Sequence, residues 1–119
     1  MVRMMGTDAI LEKIRTNPED VEFKEVMLII SDEYDYQPTE FMNGAVVNAA
    51  GVNEASCKIL SFAKLHGLDK EQTLACFGKF YREDVLQHPH GTDHENIRSF
   101  MVCGWLGVEL KGQVLTPKS

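Results

Sequence analysis

Apolar residues recur at spacings of three and four along most of the chain, and this spacing predicts amphipathic helices. Ile10 and Ile14 mark the inward side of a first helix over about residues 7–16. A second helix carries the same spacing at Phe23, Val26, Met27, Ile30 and Tyr34. Residues 26–30 also fit a buried strand, but the polar residues on both sides keep the helical spacing, which favours a helix.

Local signals predict where the second and third helices begin and end. Asn17 followed by Pro18 is typical of an N-cap with proline in the first turn, so the second helix is expected to begin there. A third helix runs from about Asn53, a good N-cap residue, to His66. Gly67 then suits the left-handed position that closes a helix.

Two pairs of residues have the spacing of a capping box, in which the first side chain and the fourth bond reciprocally to the backbone of a first helical turn. Asp69 and Gln72 predict the start of a fourth helix, which ends near residue 89. Thr92 and Glu95 predict the start of a fifth helix.

Turn-forming residues occupy the segments between these helices. Pro38 and Gly44 indicate that residues 35–44 form a structured loop. Residues 106–115 alternate weakly and predict a short strand or hairpin. The predicted fold is therefore all-α, a compact bundle of about five helices in a single domain over residues 1–119, with a short C-terminal strand or hairpin as its β element.

Composition agrees with one globular domain and argues against a membrane protein. The 119 residues are 44% hydrophobic and 25% charged, and a chain of this length forms a single core. The longest aliphatic run covers residues 26–30, whereas a membrane helix needs about 20 apolar residues. The first residues lack the apolar core of a secretory signal peptide, so neither membrane insertion nor export by that route is expected.

The charge balance argues against nucleic acid as a partner. The net charge is −6, and no stripe of Lys and Arg is present to hold a phosphate backbone. The acidic stretch over residues 19–35 either solvates a helix face or attracts a basic partner. Cys57, Cys76 and Cys103 lack CxxC spacing and cannot all pair within one chain, which predicts a location in the reduced cytoplasm.

Cys57 is the first candidate for chemistry, because helical geometry turns its side chain away from the apolar stripe of the third helix. It lies in the early turns of that helix and next to Lys58, where the dipole and the ammonium lower a thiol pKa and favour the nucleophilic thiolate. The alternative is that the helix is buried on both faces and Cys57 fills space as a small apolar residue.

His94 is the second candidate. Its position directs the imidazole inward, where burial and the helix dipole favour the neutral form that a general base requires. The alternative is a core histidine with satisfied hydrogen bonds. Together with an amide from Asn53 or Asn96, Cys57 and His94 supply the residue types of a Cys/His/Asn site, in which a base activates a thiol and an amide orients the base.

Metal and nucleotide sites find less support. His88 and His90 are plausible imidazole donors, with Asp93 and His94 nearby, but no metal-binding motif accompanies them and the surrounding residues favour a solvated loop. The glycines are scattered and do not form a phosphate-binding pattern. The sequence therefore predicts no metal and no cofactor.

Several strings of this sequence resemble the HopJ type III effector family. They are YDY at residues 34–36, TLACFG at residues 73–78 and GTDHENIRSF at residues 91–100, within a resemblance that covers about residues 20–110. It implies a small bacterial protein delivered into host cells through a type III secretion apparatus, and it implies no established catalytic activity. The family pattern falls on Asn53, Cys57, Lys58, Tyr81, Arg82, Asp93, His94, Asn96 and Arg98.

Two functions fit these residues. The first is an effector-like binding protein, whose pocket for a protein or small ligand is lined by Asn53, Cys57, Tyr81, His94 and Arg98, with Lys58, Arg82 and Asp93 as further ligand-binding candidates. The second is a hydrolase or transferase with Cys57 as nucleophile, His94 as base and Asn96 as the orienting amide. The sequence identifies neither the partner nor the oligomeric state.

Overall fold

Helices and short strands follow each other in blocks along the chain, with three strands in the middle of the sequence and two near its C-terminal end. The computed structural model describes residues 5–118. Its α-helices are α1 (Met5–Thr16), α2 (Phe23–Glu33), α3 (Glu54–Leu65), α4 (Lys70–Ala75) and α5 (Glu95–Cys103). Its strands are β1 (Tyr34–Tyr36), β2 (Phe41–Asn43), β3 (Val46–Asn48), β4 (Val108–Leu110) and β5 (Leu115–Pro117). Two 3₁₀ helices cover Pro18–Asp20 and Gly104–Gly107, and a π-helix covers Phe80–Val85.

The prediction of an all-α bundle is wrong, because the fold is mixed α/β, with 56% of the chain in helices and 13% in two antiparallel sheets. One sheet pairs β1 with β5, and the other has the order β3-β2-β4. The segment predicted as a loop over residues 35–44 contains β2 and part of β1. Each strand has three residues, and β1 and β2 take partners from the C-terminal part of the chain, as in the pairing of Phe41 with Leu110, so local periodicity does not reveal these strands.

The prediction of a strand or hairpin over residues 106–115 is correct only for the strands. β4 and β5 both form, but they lie in different sheets and do not pair with each other. β4 pairs with β2 and β5 pairs with β1, and both of these partners lie between α2 and α3 in the sequence. The C-terminal segment is therefore part of both sheets rather than an appendage.

Several helix boundaries agree with the sequence. α1 matches the predicted first helix, with Ile10 and Ile14 buried. The capping box of Asp69 and Gln72 is present at the start of α4. Gly67 adopts the left-handed conformation after α3, with φ of +66°. The sequence predicts these helix ends correctly because the hydrogen bonds that cap a helix join residues only a few positions apart.

Two predicted helix starts are wrong. Asn17 makes no side-chain cap and precedes only a short 3₁₀ helix, while a capping box of Glu22 and Glu25 begins α2. The box predicted at Thr92 does not form either, because α5 begins two residues later, with His94 as its N-cap.

The guanidinium of Arg98 accounts for the late start of α5. It bonds the Asp93 carboxylate at 2.7 Å and the Asp93 and His88 carbonyls at 2.6 and 2.8 Å, which keeps residues 88–93 outside the helix. Charge-assisted bonds of this kind are stronger than a neutral capping bond.

The predicted fourth helix is divided at Gly78, which has φ of +58°. A Cβ atom at this position would lie 2.7 Å from the backbone nitrogen of Phe23, so the start of α2 approaches Gly78 closely. α4 ends at Ala75, and the chain continues after Gly78 as the π-helix.

α3 lies at the centre of the core. Its buried residues are Cys57, Ile59, Leu60, Ser61, Phe62 and Ala63. Because consecutive positions are buried, α3 is enclosed on both faces by apolar side chains of the other helices and of the strands. No helix within residues 5–118 is long and apolar enough to cross a membrane.

Candidate functional site

A cavity of about 310 Å³ opens between the first turns of α3 and α5. Its lining residues are Phe23, Asn53, Ala55, Ser56, Phe77, Phe80, His94, Glu95, Asn96 and Ile97. Phe23 comes from the start of α2, and Phe80 from the π-helix. The cavity therefore combines an aromatic wall with polar side chains from the beginnings of two helices.

Asn53 and His94 are the N-cap residues of α3 and α5, and both have left-handed backbones, with φ of 54° and 52°. They are the non-glycine residues with positive φ within residues 5–118. A left-handed residue with a Cβ atom is strained, and such residues concentrate at functional sites. Neither side chain caps its own helix, so the first N–H groups of both helices lack a side-chain acceptor from their N-caps.

A network of asparagine amides, in which Asn43, Asn48 and Asn96 are buried, fixes the two helix starts relative to each other. Asn48 and Asn96 bond reciprocally through their carboxamides at 2.9 and 3.2 Å. The Asn43 amide donates to the Asn96 carbonyl at 2.7 Å, and the Asn53 amide donates to Asn48 Oδ1 at 2.7 Å. These bonds join β2, β3, α3 and α5, so the position of each cavity wall depends on the β3-β2-β4 sheet.

Two carboxylates contact one nitrogen of the His94 imidazole. Its Nε2 atom lies 3.0 Å from Asp84 Oδ2 and 3.7 Å from Asp93 Oδ2. The ring also packs against Phe80, with 5.2 Å between the ring centroids, and Phe80 packs edge-on against Phe23 at 5.0 Å. A carboxylate on one ring nitrogen orients an imidazole and leaves the other nitrogen available to a ligand.

Among the predicted site residues, the structure brings Asn53, His94 and Asn96 together at this cavity. Asn96 is buried and acts mainly within the asparagine network. Glu95, next to it, adds an exposed carboxylate to the lining.

Cys57 does not line the cavity. Its side chain is 1% exposed, and its thiol donates to the Thr39 carbonyl at 3.7 Å. Burial raises the pKa of the thiol, and nearby polar groups such as Ser61 and the Thr39 carbonyl offset part of that rise. The lowered thiol pKa expected from the sequence is therefore wrong in direction, because α3 is enclosed on both faces.

The other predicted ligand-binding residues lie elsewhere. Tyr81 and Arg82 line a second cavity of about 350 Å³. The Arg82 guanidinium is engaged there by the carbonyls of Val21 at 2.7 Å and Pro18 at 3.3 Å. The Lys58 ammonium lies over the ring of Tyr36, 4.6 Å from its centroid. Lys58 and Arg82 therefore have structural contacts.

Asp93 and Arg98 form an ion pair at 2.7 Å that organises the segment before α5. The Arg98 guanidinium, as the main cause, lowers the pKa of the Asp93 carboxyl. Within residues 5–118, no group of three His, Cys, Asp or Glu side chains is placed to hold a metal.

Sequence reasoning missed the residues that complete the site. Asp84 precedes His94 by ten positions, and only the π-helix and the loop after it bring the two together. Ser56 carries a hydroxyl to the cavity from the first turn of α3. The positive φ of His94 could not be expected either, because the spacing of Thr92 and Glu95 predicted a different N-cap.

Comparisons with known proteins place this arrangement in a family. A family model described as HopJ type III effector protein matches residues 7–115. The chain is also similar to VPA0580, a protein of unknown function whose crystal structure matches with a TM-score of 0.92 and 50% sequence identity, covering 93% of this chain and 92% of that one. No curated protein matches.

Proposed function

Because the chain belongs to the HopJ type III effector family, we propose that it is a binding module whose cavity between α3 and α5 holds a small ligand. The observation that carries this proposal is the convergence of two strained N-cap residues, Asn53 and His94, on one cavity with an aromatic wall. A concave site with apolar walls and a few convergent polar groups is the usual form of a small-molecule site.

The lining indicates what such a ligand carries. The N–H groups at the starts of α3 and α5, the Asn53 amide and the Ser56 hydroxyl can all donate hydrogen bonds, which suits an acceptor oxygen. Phe23, Phe77 and Phe80 suit a planar apolar group. A volume of about 310 Å³ fits a molecule of a single ring with a short polar substituent.

The position of Cys57 favours binding over cysteine-dependent catalysis. A nucleophilic thiol has to reach its substrate, and this thiol is buried with a raised pKa outside the cavity that His94 lines. We therefore assign His94 to ligand binding, with Asp84 orienting its ring.

Amide chemical shifts measured during titration with benzoate, benzamide and phenylacetate test the proposal. We expect shifts that concentrate at residues 53–57 and 94–98. Ser56→Leu fills the cavity and removes the response, whereas Ser31→Leu, the same change at an exposed position on α2, leaves it intact. No response to any of the three compounds, or a response that survives Ser56→Leu, would contradict the proposal.

The family name also suggests where the protein acts. We propose that it is made in the bacterial cytoplasm and delivered by a type III apparatus into a host cell, where ligand binding contributes to virulence. A translocation reporter fused to the C-terminus should give a signal in host cells that disappears in a strain whose type III apparatus is inactive. An equal signal from both strains would refute delivery by this route.

A further inference from the structure

The outer edge of β4 carries backbone groups that no neighbouring strand uses. Lys111 N–H donates to Glu40 O, and Gly44 N–H donates to Gly107 O, so the residues of β4 that bond β2 alternate with those that do not. By this alternation the backbone N–H and C=O of Glu109 point toward β2. The backbone groups of Val108 and Leu110 point toward the opposite, outer edge of the strand. Val108 N–H is satisfied by Trp105 O, which leaves Leu110 N–H, Leu110 C=O and Val108 C=O at the free edge.

Two cavities with large apolar side chains in their lining lie between β4 and the C-terminal half of α3. One, of about 390 Å³, is lined by Leu65 and Leu110 together with residues of the segment that leads into β5. The other, of about 280 Å³, is lined by Leu68, Trp105 and Val108. Val108 and Leu110 are two positions apart and so lie on one face of β4, each at one cavity.

Lys64 lines both cavities and is exposed. Within residues 5–118 its ammonium is in no ion pair. The net charge of the protein is −6, so Lys64 does not belong to a broad basic surface, and it is the cationic residue in the lining of both cavities. A carboxylate placed between the cavities would complement it.

We propose that the free edge of β4 binds an extended segment of a partner protein, which continues the sheet as an added strand, fills the two cavities with apolar side chains and places a carboxylate beside Lys64. This surface is separate from the cavity between α3 and α5, and shares no lining residue with it. Main-chain hydrogen bonds give affinity in this mode of recognition, and side-chain pockets give specificity.

The spacing of the site suits a strand. Side chains two positions apart along an extended segment are separated by about 6.6 Å, the same repeat that separates Val108 from Leu110. The outer edge of β3 is the other free edge of this sheet and can be compared with that of β4. The backbone groups of Val47 point away from β2 at this edge, and the residue is 64% exposed. No residue of β3 lines either of the two cavities, so the same kind of edge lacks the side-chain pockets.

Selection of a random decapeptide display library against the full chain tests the proposal. We expect the enriched peptides to be rich in β-branched residues and to carry at least one Asp or Glu. In the free protein Leu110 N–H should exchange quickly and Glu109 N–H slowly, because only the latter faces β2, and synthetic versions of these peptides should slow exchange at Leu110 N–H. Failure to enrich binders, or protection of Leu110 before any peptide is added, would overturn the proposal.

Two variants locate the binding. Leu110→Pro removes the outward N–H and leaves the bonds of Glu109 and Lys111 to β2, so peptide affinity should fall about tenfold. Val47→Pro makes the same change at the outer edge of β3 and should leave affinity unchanged. Equal loss from both variants, or loss from Val47→Pro alone, would refute the assignment to β4.

A charge reversal keeps the test decisive even if Leu110→Pro fails to fold. Lys64→Glu should weaken the acidic peptides by about tenfold, and Lys24→Glu, at an exposed position on α2, should not. Equal affinity of the wild type and Lys64→Glu would refute the role of the ammonium.

Discussion

Side-chain amides of asparagine residues, rather than the Cys57 thiol, connect the elements that form the cavity between α3 and α5. Asn48 and Asn96 are almost fully buried and satisfy each other, while Asn43 and Asn53 extend the network to β2 and α3. Burying an amide is costly unless it is hydrogen-bonded, so the bonds shared by these residues favour one relative position of α3 and α5, although Asn43 Oδ1 is left without a partner. Cys57 occupies the enclosed face of α3 and contributes packing instead.

The network predicts an unequal response of two asparagines to substitution. Asn96→Leu removes the carboxamide that bonds the side chains of Asn43 and Asn48, although each of these keeps another hydrogen-bond partner, and should lower the free energy of unfolding by about 2 kcal/mol. Asn17→Ala, at an exposed N-cap that makes no side-chain bond, should change it by less than about 0.5 kcal/mol. Urea denaturation measures both values, and similar losses from the two variants would contradict the network's role.

At the scale of elements, the break between α4 and the π-helix decides the shape of the cavity. Gly78 lets the start of α2 approach, and the π-helix that follows presents Phe80 and Asp84 toward His94. Tyr81 and Arg82 lie on another side of the same π-helix, at the second cavity. A continuous α-helix from Asp69 would change both groups of contacts, since its residues repeat at a different angle.

Two glycine substitutions measure how much this break matters. Gly67→Ala introduces a left-handed alanine into open space and should destabilise by about 1 to 2 kcal/mol. Gly78→Ala adds an overlap with the Phe23 backbone to the same strain and should destabilise by at least about 3 kcal/mol. Thermal and urea unfolding of the two variants give the comparison, and equal losses would show that the close approach of α2 is relaxed at little cost.

For the whole molecule, buried titratable groups set the pH range of stability. Burial lowers the pKa of His66, helped by the positive charge of Arg15, and burial raises the pKa of the Cys76 thiol from 9.0 to about 12. The unfolded chain therefore binds more protons than the native one below the ordinary histidine pKa of about 6.5, and fewer above the ordinary thiol pKa.

It follows that the free energy of unfolding should be highest between about pH 6.5 and pH 9, and should fall on both sides. On the alkaline side Cys76 contributes a slope of at most about 1.4 kcal/mol per pH unit, which Cys76→Ala should remove. On the acid side His66→Gln should make the decline shallower. Urea denaturation across this range checks the prediction, and an unchanged alkaline slope in Cys76→Ala would contradict it.

Sequence reasoning reached part of the fold and part of the site. It identified α1, the capping box of α4 and the ends of α3, because those features depend on neighbouring residues. It selected Asn53, His94 and Asn96, which meet at one cavity, and also Cys57, which does not. The error at Cys57 arose because the spacing on one helix shows which side chains share a face and says nothing of what covers that face.

The sequence by itself determined the helical majority, the family and the chemistry available at each helix start, since propensities, caps and motifs are written in short stretches of chain. Only the tertiary structure decided the two sheets, the left-handed conformations of Asn53 and His94, and the meeting of His94 with Asp84. These features depend on contacts between distant segments, such as β2 with β4 and Arg98 with His88. Those contacts outweigh local preference because long-range strand pairing and hydrogen bonds stabilise one arrangement of these segments more than short-range propensities favour another.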